Sequence, residues 1–165
     1  MKMPKSVSLE LAQGAVIAAL YVVLTLVFAP ISFGEVQLRV AEALTILPMF
    51  TTAAIPGLFV GCVIANLLGG AVIWDVIFGS LATLIGAIFS YMLRKNRWLV
   101  PIPAILANTV VVPFVLKYAY GVDLPILLLM VYIMLGEIAG CYVLGELLAS
   151  ALLPHRNMLF GEHTS

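Results

Sequence analysis

Charge is the scarcest resource in this chain. Eight acids and eight bases make up 10% of 165 residues, where a soluble domain carries about a quarter. So few polar groups cannot cover a water-facing surface of this size, and the soluble globular class is excluded. Histidine is nearly missing: His155 and His163 both lie in the tail. A histidine metal site or a Ser–His hydrolase therefore has no material. No nucleophile–base pair stands out, so no enzyme is expected, and neither a cofactor nor a metal. The phosphate-cradling pattern GxxxxGK[ST] is absent, which excludes nucleotide hydrolysis by that route. No basic patch with interleaved aromatics suggests nucleic acid. The two cysteines, Cys62 and Cys141, lie inside apolar runs and read as small buried hydrophobes without a disulfide.

What remains is hydrocarbon. The chain is 64% hydrophobic, with a mean hydropathy of +1.18, which points to an all-α integral membrane protein forming one membrane domain over residues 1–165. A crossing helix needs about 20 mostly apolar residues. The runs predict six spans, at about 11–31, 40–54, 55–73, 76–93, 99–120 and 124–153. The first run is too long for the apolar core of a signal peptide and reads as a span. The run over 40–73 is broken by "AAIPG" at 53–57, read as a turn between two short spans, with a re-entrant hairpin as the alternative. Asp123 is expected to cap the last helix, with Pro125 near its first turn. With the N-terminus in the cytoplasm, Lys2, Lys5, Arg94, Lys95, Arg97 and Arg156 fall inside, and Arg39 and Lys117 outside. That bias predicts a multi-pass cell-membrane protein with both termini cytoplasmic. The hairpin alternative gives the same orientation.

Against this background the stretch "GEVQLRVAEALTILP" at 34–48 is conspicuous, with Gln37, Arg39, Glu42 and Thr45 close together. A charged side chain at the bilayer centre costs about 2.5–3.5 kcal/mol on insertion scales, so such residues face a cavity or a partner. Glu42 lies three residues past Arg39, about 5 Å into its helix. Asn66 is expected about 10 Å from the outer end of its span, and Asn108 and Glu137 near the middle of theirs. With Trp74, Asp75, Lys117, Tyr118, Tyr120 and Asp123 at the outer end, these groups are expected to converge on an outward-opening cavity. Glu146, nine residues after Glu137, falls on the opposite helix face at about 100° per residue and belongs to no common site.

Plainer readings compete. Arg39 and Glu42 are spaced to pair on a helix surface. Asn66 and Asn108 suit helix–helix hydrogen bonds. Trp74 suits an interfacial aromatic belt, and Glu146 an interfacial or partner-facing position. Glu137 is hardest to explain away, because no base in its own span neutralises it. The first span carries Gly14, Ala15, Ala18 and Ala19, small residues that permit close helix approach, either within the bundle or to another membrane protein.

The stretch "FGEVQLRVAEALTILP" (33–48) strongly resembles the signature of the QueT family, substrate-binding S components of energy-coupling factor (ECF) transporters. "GLFVGCVIANLLGG" (57–70), "DVIFGSLATLIGA" (75–87) and the Ala15-xxx-Ala19 spacing resemble S components more generally. The resemblance covers roughly 12–146. It implies a six-helix bundle that binds a queuosine precursor from outside, chiefly 7-aminomethyl-7-deazaguanine. It also implies a coupling membrane protein and two cytoplasmic ATPase subunits as partners, and a bundle that topples to carry its closed site inward. The residues expected at the substrate are Gln37, Arg39, Glu42, Asn66, Trp74, Asn108 and Glu137, with Gln37 helping to close the site. Ala15 and Ala19 are expected to meet the coupling protein. An S component for another vitamin or nucleobase, or a structural subunit with no ligand, are the alternatives.

Overall fold

The computed structural model describes residues 7–33 and 37–161. Lys2 and Lys5, which contribute to the expected orientation, and His163 lie outside the described residues. Within these bounds every regular element is a helix: α1 (Val7–Val27), α2 (Ala29–Ser32), α3 (Ala54–Leu68), α4 (Ile73–Met92), α5 (Ile102–Tyr118), α6 (Ile126–Glu137), α7 (Gly145–Leu152) and α8 (Arg156–Phe160). A 3₁₀ helix, Val40–Met49, precedes α3, and a π-helical segment, Ile138–Leu144, joins α6 to α7.

The spans are not six equal rods. Four helical stretches are long and apolar enough to cross a membrane: Val7–Val27, Ile73–Met92, Arg97–Tyr118 and Ile126–Phe160. The span expected over 40–54 is instead the 10-residue 3₁₀ helix. At about 2.0 Å per residue it extends about 20 Å, short of the roughly 30 Å hydrocarbon core. Helix α3, at 15 residues, is short as well. The physical reason is burial. Residues 41–48 are all buried, so this segment never meets lipid and need not match its thickness. The "AAIPG" motif also behaves differently from expectation. It opens α3, with Pro56 in the first turn, where its missing N–H leaves no carbonyl unpaired.

The last helix runs on to Phe160 but changes its winding directly after Glu137. Its N-terminal cap position is held by Pro125. Asp123 does not cap; it is exposed and pairs with Lys117 at 3.6 Å.

Close backbone approaches fix the packing. A Cβ on Gly57 would lie 2.8 Å from the Gly14 carbonyl, and one on Gly61 would lie 2.8 Å from Tyr21 Cβ and 3.0 Å from Ala18 Cα. These pairs rise together in sequence, so α1 and α3 run parallel and the 3₁₀ helix makes the return between them. The small-residue stripe on α1 therefore divides. Gly14 and Ala18 receive α3, while Ala15 and Ala19 are exposed. The core gathers Ile17, Tyr21, Leu44, Ile46, Phe50 and Leu58 around the 3₁₀ helix. Leu11, Val23, Leu68, Val110, Leu127 and Leu147 point outward, as a lipid-facing surface requires.

Gly61→Val tests this contact. The added side chain meets backbone and Tyr21, and overpacking of this kind costs about 1–3 kcal/mol. The expected result is a lower melting temperature in detergent, with Ala19→Val, on the exposed side of α1, unchanged. Equal melting of both variants would show that α1 and α3 are not packed as described.

Candidate functional site

The polar residues of the interior form two adjoining groups. The first is built around Glu42, carried to the bundle centre by the buried 3₁₀ helix and 1% exposed. Tyr21, from α1, donates its hydroxyl to Glu42 Oε1. Thr45, one turn on, donates to the Glu42 carbonyl at 2.6 Å. Glu137, at the end of α6, accepts from Asn108 Nδ2 of α5 at 3.0 Å. Cys141 of the π segment donates to Glu137 Oε2 at 3.0 Å and lies 3.9 Å from Glu42 Oε2. One oxygen from each carboxylate and the Cys141 sulfur lie within 4.8 Å of one another.

No basic side chain pairs with Glu42 or Glu137 among the described residues. Two carboxylates this close repel when both are charged, and the low-dielectric surroundings screen them little. The arrangement offers oxygen and sulfur donors to a cation, whether a metal ion or an organic ammonium group.

The second group is centred on Arg39. Its Nη2 lies 3.7 Å from Asp75 Oδ2 at the start of α4, its Nε donates to the Ser32 carbonyl at 3.4 Å, and its guanidinium sits 5.5 Å from the Phe33 ring centre. Tyr120 donates to Asp75 Oδ2 at 2.9 Å. Asn66 Nδ2 reaches the Asp75 carbonyl at 3.5 Å. Several atoms here are buried without a hydrogen-bond partner: Arg39 Nη2, Asp75 Oδ1, Asn66 Oδ1, Ser32 Oγ and Ser80 Oγ. An unsatisfied buried polar atom costs about 1–3 kcal/mol, so a concentration of them marks a place suited to a polar ligand.

Residues 37–39 lie over both groups in non-helical backbone. The Gln37 carbonyl packs against Gly136 and the Arg39 carbonyl against Gly140, where a Cβ would come within 2.9 Å. Only glycine on this face of the last helix lets the segment descend so far. The backbone N–H of Leu38 ties it to the Ile31 carbonyl at 3.0 Å.

The structure thus brings Gln37, Arg39, Glu42, Asn66, Asn108 and Glu137 into the interior, each 5% exposed or less. It does not bring Trp74 there. Trp74 is 54% exposed and stacks on Phe78 at 5.9 Å, beside a groove lined by Val110, Phe114 and Tyr118. Arg39 and Glu42 do not pair with each other, because Arg39 reaches across to Asp75. Asn108 makes an interhelical hydrogen bond, as its plainer reading held, and its partner is the unpaired Glu137. Glu146 lies apart from Glu137, in an internal ion pair with Arg97.

Tyr21 and Cys141 are not among the residues expected at the substrate, and Asp75 is expected only at the outer opening. Tyr21 is the one polar aromatic of α1, and Cys141 follows Glu137 by one helical turn; both are faint signals in apolar runs. Asp75 stands beside Trp74 in an apolar stretch and reads as a loop residue.

Arg39 and Asp75 should behave as a buried pair. Arg39→Met leaves Asp75 uncompensated and is expected to lower stability by about 3–5 kcal/mol, while Arg39→Met with Asp75→Leu recovers most of the loss. Additive losses in the double variant, read by thermal unfolding, would show that the two do not interact.

A family model of the QueT transporter matches residues 11–154. The Queuosine precursor transporter QueT of Lactococcus lactis subsp. cremoris (strain MG1363) is 39% identical over 85 residues, which is 50% of this chain and 50% of that protein. The matched stretch thus spans about half the length of each. No solved structure matches the chain. With the family pattern extending over almost all of the helical region, the chain belongs to the QueT transporter family.

Proposed function

We propose that this protein is the substrate-binding S component of an ECF-type importer, and that it takes up a queuosine precursor bearing a cationic arm, of the 7-aminomethyl-7-deazaguanine type. The observation that carries this reading is the pair of buried carboxylates, Glu42 and Glu137, facing each other without a base. A deazaguanine presents a ring N–H and an exocyclic amine along one edge, and one carboxylate accepts both as a charge-assisted bidentate pair. The second carboxylate takes the aminomethyl ammonium. The unbonded Nη2 of Arg39 suits the ring carbonyl, and Asn66 and Asn108 suit the remaining polar atoms. The family name of the relative from Lactococcus supports the same substrate class.

In this reading the chain crosses the bilayer six times, the 3₁₀ helix and α3 forming the two shorter passes. Both termini are cytoplasmic. Residues 37–39 close the site from the outer side, with Gln37 at their head. The exposed Ala15 and Ala19, beside a groove of about 500 Å³ between α1 and α3, meet the coupling membrane protein, which recruits the two ATPase subunits. The protein is a binder and carrier and catalyses nothing itself.

Calorimetric titration of the detergent-solubilised chain tests the substrate. Nanomolar binding of 7-aminomethyl-7-deazaguanine or queuine is expected, with guanine at least a hundredfold weaker and no change on adding EDTA. Glu137→Gln and Glu42→Gln should each weaken binding at least a hundredfold. A folded protein that binds none of the three compounds would discard the queuosine reading, and EDTA-sensitive binding would assign the carboxylates to a metal. For the partner face, Ala15→Trp is expected to leave binding intact and abolish uptake in cells. Normal uptake by that variant would exclude Ala15 from the coupling interface.

A further inference from the structure

The opposite end of the bundle holds a second polar feature, of the other sign. The end of the 3₁₀ helix, the end of α4 and the start of α8 enclose a cavity of about 600 Å³, lined by Met49, Thr51, Arg94, Lys95, Arg97 and Arg156 among others. No acidic residue lines it. Arg97 is already neutralised by Glu146 and bonds Ser150 Oγ at 2.5 Å. Arg94 lies 4.0 Å from the centre of the Tyr91 ring and donates to the Tyr91 carbonyl at 3.1 Å. Among the described residues, Arg94, Lys95 and Arg156 have no carboxylate partner, and Arg156 Nε is buried with no hydrogen-bond partner. Three uncompensated cations around one cavity make an anion site.

The surroundings say which anion. Met92, Trp98, Leu99, Met158 and Leu159 lie close in sequence to the lining residues, and all are exposed, Met158 to 77% and Met92 to 62%. Apolar side chains in such positions contact acyl chains, and an exposed tryptophan at a helix end marks the level of the lipid headgroups. The cavity's own lining adds Pro48, Met49, Phe50 and Tyr91, so it combines phosphate-binding charge with apolar side chains. A free anion uses only the charge, and an acidic protein segment has no use for the apolar part.

We propose that this cavity binds the phosphate headgroup of an anionic phospholipid, held by Arg94, Lys95 and Arg156, with its acyl chains lying along the exposed apolar residues beside it. Basic pockets between helices at the cytoplasmic side take such headgroups generally. The lipid would bridge the end of α4 to α8, two elements that share no side-chain hydrogen bond among the described residues.

Native mass spectrometry of the full chain in a neutral detergent tests this. The protein is titrated with dioctanoyl phosphatidylglycerol, dioctanoyl phosphatidylcholine, inorganic phosphate and a hexaglutamate peptide. Phosphatidylglycerol is expected to bind at least tenfold tighter than phosphatidylcholine, and tenfold tighter than phosphate or the peptide. Combining Arg94→Gln, Lys95→Gln and Arg156→Gln should abolish that preference. Lys95→Gln alone, at an exposed position where folding is not at stake, should reduce it at least twofold. Equal binding of the two lipids, or an unchanged preference in both variants, would overturn the proposal. Phosphate binding as tightly as the lipid would assign the cavity to a soluble anion, and tighter peptide binding would assign it to a partner protein; either result overturns the lipid assignment. None of these readouts depends on the queuosine substrate.

Discussion

A carboxylate in the middle of a membrane protein must be held by something, and here the holding of Glu42 organises the bundle. Its oxygens face Tyr21 from α1 and Cys141 from the π segment, and Cys141 in turn bonds Glu137, which bonds Asn108 from α5. One polar node thus touches α1, the 3₁₀ helix, α5 and the last helix. Hydrocarbon gives helices little reason to choose one neighbour over another, since lipid tails are as apolar as leucine. Polar contacts supply the missing choice. Each bond in the node has only one geometry in which it forms, so together they set how the helices meet.

The tight backbone geometry depends on that node. A 3₁₀ helix of ten residues is unusual, since longer runs normally relax to α. Here the segment is enclosed on all sides and its winding is set by the side chains packed against it. The π segment directly after Glu137 plays the matching part on the last helix. A π-helical turn widens the helix locally and shifts the phase of the residues beyond it. Glu137 and Cys141 face inward together, and Gly136 and Gly140 receive the descending carbonyls of residues 37 and 39. Spacing at a uniform 100° per residue already sets each of these pairs on one face, but it cannot register the phase of the residues beyond the π segment.

Legibility in the sequence divides along the same line. Hydropathy located the ends of the long helices to within about four residues, except that the last runs on to Phe160 beyond the expected 153, because lipid imposes one length and one polarity on them. It gave no sign of the short 3₁₀ winding at 40–49, since a segment shielded from lipid by other helices is as apolar as a fully exposed crossing helix but obeys no length rule. The buried polar residues were visible as exceptions in apolar runs, and Gln37, Arg39, Glu42, Asn66, Asn108 and Glu137 all proved interior. Their pairing was not visible. Arg39 finds Asp75 across 36 positions of chain, and Glu42 finds Tyr21 across 21, distances over which no periodicity speaks. Trp74 shows the converse case. It was expected at the outer opening together with Asp75, but adjacent residues on a helix point about 100° apart, and Trp74 faces outward.

The contacts around the proposed site differ in kind, and on that reading the difference bears on how a ligand would enter. Glu42 sits on a helix enclosed by the core, and moving it would disturb Leu44, Ile46 and Phe50 together. Residues 37–39 are held by polar contacts instead: the Leu38 N–H to the Ile31 carbonyl, the Arg39 carbonyl to the Glu42 N–H, Arg39 Nε to the Ser32 carbonyl at 3.4 Å, a 3.7 Å ion pair from Arg39 and its contact with Phe33. Breaking these contacts exposes polar atoms that water can satisfy, whereas displacing the 3₁₀ helix would expose apolar core. The cheaper motion therefore lifts residues 37–39 from the glycine face of the last helix and leaves both carboxylates where they are. A ligand that enters by this path meets Arg39 and Asp75 first and the paired acids last. Its own donors can then replace the contacts that the lifted segment gave up, so that closing over the ligand is favoured by the same unpartnered atoms that the closed site carries without it.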